Sequence, residues 1–291
     1  MKITSKNLKG GLYGQLLLWC LELLPYLKEN NINPSWDVKS EFYGTPSDYN
    51  IFGKYIIPNK EKCLEPHNSF DLFELKSNHG EKFFTNFKGD FSLANILFFD
   101  FFSFSDEITK EVTSVMDTYK DKKILGLHCR GTDKIGTEGG YIDINIFKRL
   151  VDDYLDYNKI DVIFIFSDEI NISKTIEGYY DKKYLVKNFN DTESNTLLFN
   201  TYNNNLKSND LLYKKTIVDS IVLSKCNAVI KTSSQFSAWA KIFNPKIEIY
   251  RVSAFKENWF PDFYIPLYKS ENELIKKMLD AAFIDENKTQ K

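Results

Sequence analysis

The chain has 291 residues, 43% of them apolar, and a formal net charge of −2. That is enough apolar material for one large domain or two modest α/β lobes, and a charge so near zero excludes bulk attraction to nucleic acid or an anionic membrane. Four cysteines without CxxC spacing (Cys20, Cys63, Cys129, Cys226) and three dispersed histidines imply neither a disulfide framework nor a metal site.

Residues 8–30, LKGGLYGQLLLWCLELLPYLKEN, predict a glycine-containing turn feeding an amphipathic helix. Residues 34–106 mix short strand-like runs with Pro, Gly and Asn breaks. Within them LANILFFDFFSF (93–104) is the greasiest stretch, too short to span a membrane and broken by Asp100. A helix is expected over 109–122, leading into a second lobe.

From there strands and helices alternate. KILGLHC (123–129) reads as a strand and 144–157 as a helix. VIFIF (162–166) is a buried strand and KYLVKN (183–188) a weaker one. A helix follows over 209–226, a strand over 227–232, a helix over 233–243 and a strand over 246–253. Continuous apolar strands separated by helices predict a parallel sheet covered on both faces, whose ligands bind beyond the strands' carboxyl ends. The asparagine-rich run 189–209 reads as a long surface loop or flap, and 270–283 as a closing helix. The expected domains are 1–120, with helix 270–285 packing back onto it, and 121–268. With no apolar signal core and no membrane-length run, a cytoplasmic protein is expected.

The polar clusters at 128–138, 167–169 and 232–235 all fall at strand ends. His128 is either a satisfied core histidine or a ligand contact. Arg130 offers a planar fork of donors suited to phosphate oxygens, or it forms a salt bridge with Asp133 or Asp168. Glu138 is either a surface acid or, among the cations Arg130 and Lys134, an ionised carboxylate able to take a hydroxyl proton. Thr232-Ser233-Ser234-Gln235 closes a strand and opens a helix, as a simple cap or as an anion cradle. Asp219, off the apolar face of its helix, is either solvent-exposed or able to pair with the N–H edge of guanine. The glycines of GGLYGQL (10–16) make a tight turn, or let the backbone approach a phosphate or sugar.

HCRGTDKIGTE (128–138) resembles the His-x-Arg-Arg-Thr-Asp-Lys-x-Gly-Thr-Glu signature of the α-1,6-fucosyltransferases that core-fucosylate N-glycans, with the rhizobial chitin-oligosaccharide fucosyltransferases as more distant relatives. GGLYGQL is similar to that family's Gly-Tyr-Gly-x-Gln-Leu turn. TIVDSIVLSKCNAVIKTSSQFS is similar to its Asp-containing helix, following strand and Ser-Ser-Gln turn. Order and spacing agree over residues 9–240.

The resemblance implies an α/β, GT-B-like fold with two Rossmann-type lobes and an interlobe cleft. It implies an inverting, metal-independent glycosyltransferase that moves fucose from GDP-fucose to a glycan or glycoconjugate hydroxyl, with no cofactor. On it, His128 and Arg130 contact the diphosphate and ribose region, and Asp219 reads guanine. Ser233, Ser234 and Gln235 hold the β-phosphate or the sugar, while Tyr13 and Gly14 line the donor side. Arg130, Lys134 and Glu138 are the catalytic candidates, for leaving-group neutralisation and acceptor deprotonation. The family's second arginine is Gly131 here, which removes a cation from the diphosphate site. Another GDP- or UDP-sugar donor, or a binding protein without turnover, is the alternative.

Overall fold

The structure, a computed structural model, describes residues 1–8, 11–40, 43, 50–59, 68–130, 143–190, 206–252 and 258–263. It divides into two compact units. The first gathers Met1–Thr118, Tyr202–Val222 and Ile242–Pro245, and the other described residues form the second. Division by chain order had assigned 202–222 and 242–245 to the second lobe.

In the first unit, β1 (Lys2–Leu8) pairs in parallel with β2 (Ser35–Ser40) and β4 (Ser69–Asp71), while β3 (Ile56–Pro58) and β5 (Phe102–Phe104) form a separate antiparallel pair. Between β1 and β2 the sequence predicts a glycine-containing turn feeding a helix. In the structure a wide π-helical turn at Leu12–Leu16 runs directly into that helix, α1 (Leu17–Glu29). The carbonyl of Gly11, the extended residue before it, accepts from both Gln15 N and Leu16 N, at 3.1 and 3.4 Å. Tyr13 and Gly14 therefore sit inside a helix. Such π-turns occur often at functional sites.

Two further helices, α2 (Leu72–Phe83) and α3 (Phe91–Phe101), start at Asp71 and Asp90, whose carboxylates accept from main-chain N–H groups two or three residues on. The greasy run 93–104 is thus the body of α3 and the strand β5. The helix expected at 109–122 is α4 (Asp106–Asp117), capped by Ser105.

The second unit bears out the predicted parallel sheet. Its strands are β6 (Ile124–Cys129), β7 (Val162–Ser167), β8 (Leu185–Asn188), β9 (Ala228–Lys231) and β10 (Glu248–Arg251), all parallel, in the order β10-β9-β6-β7-β8. Helices α5 (Ile144–Tyr157) and α6 (Ile170–Tyr180) join the first three strands; α6 was not foreseen. The long helix α7 (Leu206–Ser224) leads to β9, and its residues through Val222 belong to the first unit. The helix expected at 233–243 is two short pieces, α8 (Gln235–Ala238) and α9 (Ala240–Phe243), divided at Trp239.

Every residue of β6 is buried. Leu125 and Leu127 pack with Ile163, Ile165 and Ile230, and with Phe147, Leu150 and Val151 of α5 and Ile176 of α6. Strand order reverses direction between β6 and β9, and a sheet wound this way opens its ligand crevice at the carboxyl ends of those two strands. The closing helix expected at 270–283 and most of the loop expected at 189–209 lie outside the described residues. Among the described residues, no helix is long and apolar enough to cross a membrane.

Candidate active site

The site grows out of the β6–β9 pair. His128 lies opposite Lys231 in the register, and the next residues diverge just where the strand order switches. Thr232 bridges the two strands. Its N–H donates to His128 O at 2.9 Å, and its Oγ1 accepts from Arg130 N at 2.8 Å. The Arg130 guanidinium then donates from NH1 to Ser234 Oγ at 3.4 Å and places Nε 3.7 Å from Asp168 Oδ2 at the end of β7. The salt bridge foreseen for Arg130 and its proximity to the serine turn are therefore both present.

The imidazole of His128 is buried, with Nδ1 2.9 Å from Ser237 Oγ and its ring against Phe236. Burial, reinforced by Lys231 and Arg130, holds its pKa well below the usual histidine range. At neutral pH it is an uncharged, hydrogen-bonded ring. Between them, Cys129 is buried as well, and burial beside Asp168 and Glu169 pushes its thiol up to about 12.

The side-chain capping expected of the serine turn is absent at Ser234. Ser234 stands at the N-cap of α8 in an extended conformation, but its hydroxyl makes no capping bond and instead faces Arg130. Ser233 Oγ and Ser234 N both donate to Asp262 Oδ2, at 2.8 and 2.9 Å. Gln235 opens α8, with Oε1 buried and lacking a hydrogen-bond partner among the described residues.

Asp262 is the centre of a buried ion cluster that the sequence did not reveal. Its Oδ1 lies 2.6 Å from Lys231 Nζ and 3.6 Å from Arg251 NH1, and its carbonyl accepts from Arg251 NH1 at 2.7 Å. The three side chains are 1%, 3% and 5% exposed for Lys231, Arg251 and Asp262, whereas Arg130 is 20% exposed. Burial lowers the Lys231 pKa while Asp262 opposes that shift. Two cations share this one carboxylate beneath the serine turn. Lys231 and Arg251 end β9 and β10, and the register of the folded sheet sets them directly opposite each other, so that burial of both requires an acid nearby.

Tyr13, Gly14 and Asp219 lie in the first unit. Tyr13 is buried; its hydroxyl donates to Thr216 O at 3.4 Å and also bonds Ser220. Burial raises its pKa, and nearby Asp219 adds to the rise. Asp219 is not solvent-exposed: its side chain is 14% exposed and its Oδ2 lies 2.6 Å from Lys215 Nζ, one helical turn earlier. Tyr13 and Asp219, 206 positions apart by their numbering, are thus electrostatic neighbours. Gly131, Lys134 and Glu138 lie outside the described residues. Among the described residues, no cluster of three or more His, Cys, Asp or Glu side chains is arranged to hold a metal ion.

No protein-family model and no curated protein matches the sequence. Solved structures do match. The α-1,6-fucosyltransferase NodZ co-crystallized with GDP has a TM-score of 0.55 at 13% identity, over 86% of this chain and 94% of that one. NodZ soaked with GDP-fucose gives 0.54 at 12% identity over the same shares. The fucosyltransferase NodZ from Bradyrhizobium gives 0.51 at 11% identity, over 84% and 94%.

The chain has the GT-B-like fold of a glycosyltransferase. At these identities the likeness is one of architecture, and the chemistry has to be argued from the side chains. In this fold Arg130, paired with Asp168, and the serine turn meet at the carboxyl ends of β6 and β9.

Proposed function

We propose that the protein is an inverting, metal-independent fucosyltransferase that transfers fucose from GDP-fucose to a glycan hydroxyl. The observation that carries this proposal is the approach of Arg130 to the 232–234 turn at the β6–β9 switch point, in a chain with the fold of a fucosyltransferase. The HCRGTDKIGTE motif adds the residues the chemistry needs.

Arg130 binds the diphosphate and neutralises the charge that grows on it as the glycosidic bond to the leaving group breaks. Fixed positive charge aimed at developing negative charge is a large source of transition-state stabilisation. Lys134 adds a second cation. Glu138 takes the proton of the acceptor hydroxyl, whose oxygen forms the new bond to the anomeric carbon as GDP departs from the opposite face. Asp219 accepts from the N–H edge of guanine. Charge neutralisation by side chains replaces a divalent cation, so chelation leaves the rate unchanged.

The test is turnover by purified protein across a panel of GDP- and UDP-sugars, each offered with a set of oligosaccharide acceptors, with and without EDTA. GDP-fucose giving the fastest acceptor-dependent release of GDP, unaffected by EDTA, is the expected result. Faster release from another donor replaces fucose as the transferred sugar. GDP binding without release from any pair removes the transferase assignment.

A further inference from the structure

We propose that Asp262 is a positioning residue for the anion site, holding the 232–234 turn in the shape that faces Arg130; this role rests on the function proposed above. Asp262 lies in the 258–263 segment, outside the helices and the main strands, where it forms an isolated bridge with Trp259. It is nonetheless bonded to both strand ends behind the site and to the turn in front of it.

The hydrogen bonds divide between its two oxygens. Oδ2 accepts from the Ser233 hydroxyl and the Ser234 main-chain N–H. Oδ1 takes Lys231, with Arg251 at 3.6 Å. The first pair fixes the turn, and the second ties the carboxylate to β9 and β10. With its N–H held by Asp262, Ser234 directs its hydroxyl to Arg130 NH1. Thr232, two residues earlier, receives the Arg130 main-chain N–H. The turn is therefore anchored by Asp262 on one side and by Arg130 on the other, and Asp262 acts on the ligand only through it.

A carboxylate bonded to a buried lysine could serve stability alone, so the test has to separate that role from positioning. Two double variants that both remove the Lys231–Asp262 pair, and so leave Arg251 equally without its carboxylate, separate the roles. The double variant K231M/D262L removes one positive and one negative charge, which leaves the net charge of the Lys231–Arg251–Asp262 trio unchanged, and it removes the acceptor of the turn. The companion K231M/D262N keeps an acceptor oxygen at 262.

Three quantities are measured on the full chain: the melting temperature, the amide hydrogen exchange of Ser234, and GDP affinity by calorimetry. Both double variants leave Arg251 buried without its carboxylate and melt below the wild type; measured below both melting temperatures, K231M/D262L alone shows faster Ser234 exchange and weaker GDP binding, each by about tenfold or more, because it alone lacks an acceptor for the turn. K231M/D262N returns GDP affinity to within about threefold of wild type, because a neutral acceptor still bonds the turn. Wild-type GDP affinity in K231M/D262L, or exchange at Ser234 unchanged in it, overturns the positioning role. Failure of the wild-type protein itself to bind GDP overturns the proposed function, and with it the role assigned to Asp262.

Discussion

Arg130 and Ser234, 104 residues apart in sequence, meet at 3.4 Å through guanidinium NH1 and hydroxyl Oγ. Their meeting places a permanently charged, partly exposed fork at the carboxyl end of β6. Substituting Arg130 by Ala removes the charge and the donors together, and the rate falls by at least about 100-fold. Lysine restores the charge but not the planar fork, and recovers only part of that loss. Both follow from steady-state GDP release at saturating donor. An R130A enzyme with near-native kcat removes Arg130 from the chemistry.

The buried imidazole of His128 gives a prediction in pH. Its pKa is lowered in the folded chain by burial and by Lys231 and Arg130, while in the unfolded chain it returns to about 6.5. As pH falls below that unfolded value, the unfolded state binds a proton that the folded state refuses. Stability is therefore fully present above about pH 6.5 and is lost progressively on acidification toward the lowered native value. H128N keeps a polar partner for Ser237 and lacks the titration. Its melting temperature should depend less on pH between about 6.5 and 5 than that of the wild type. Equal slopes for the two proteins would show that His128 is not excluded from protonation.

The second unit was legible because β6, β7 and β9 are continuous apolar runs set between helices, and burial on both faces writes that pattern directly. The first unit was not. β1 (KITSKNL) is short of apolar residues, and α2 is polar over most of its length. α3 carries apolar residues around its whole circumference, so no single stripe marks it as a helix. Of the site, Arg130 and the serine turn could be read from their place at strand ends. Asp262 could not, since its partners Lys231 and Arg251 lie 31 and 11 positions away and only the fold brings them together.

Gly126, in the middle of β6, packs where no side chain fits. A Cβ there would meet Leu223 Cδ2 at 2.9 Å, Cys226 Sγ at 3.1 Å and Val229 Cγ2 at 3.3 Å. The leucine end can swing away, but the β-branched Val229 on the neighbouring strand is stiff at χ1. Gly126→Ala gains about 0.4–1 kcal/mol from a less flexible unfolded chain. Overpacking at such a site costs about 1–3 kcal/mol, so destabilisation wins. Thermal unfolding should show a lower melting temperature, and a variant as stable as the parent would mean that the β6–α7 packing relaxes freely.

Asp219 is held by Lys215 at 2.6 Å on the same helix and lies close enough to Tyr13 to raise its pKa. An i,i+4 ion pair of this kind contributes about 0.2–0.5 kcal/mol to a helix. If Asp219 accepts from guanine, D219N lowers GDP affinity by about tenfold, since one hydrogen bond to a charged acceptor is worth roughly 1.5–3 kcal/mol, and leaves UDP affinity unchanged. K215A, which removes the partner but keeps the carboxylate, preserves the preference for GDP. Equal losses of GDP and UDP in D219N would assign Asp219 to the packing of α7 around Tyr13 instead of to base recognition.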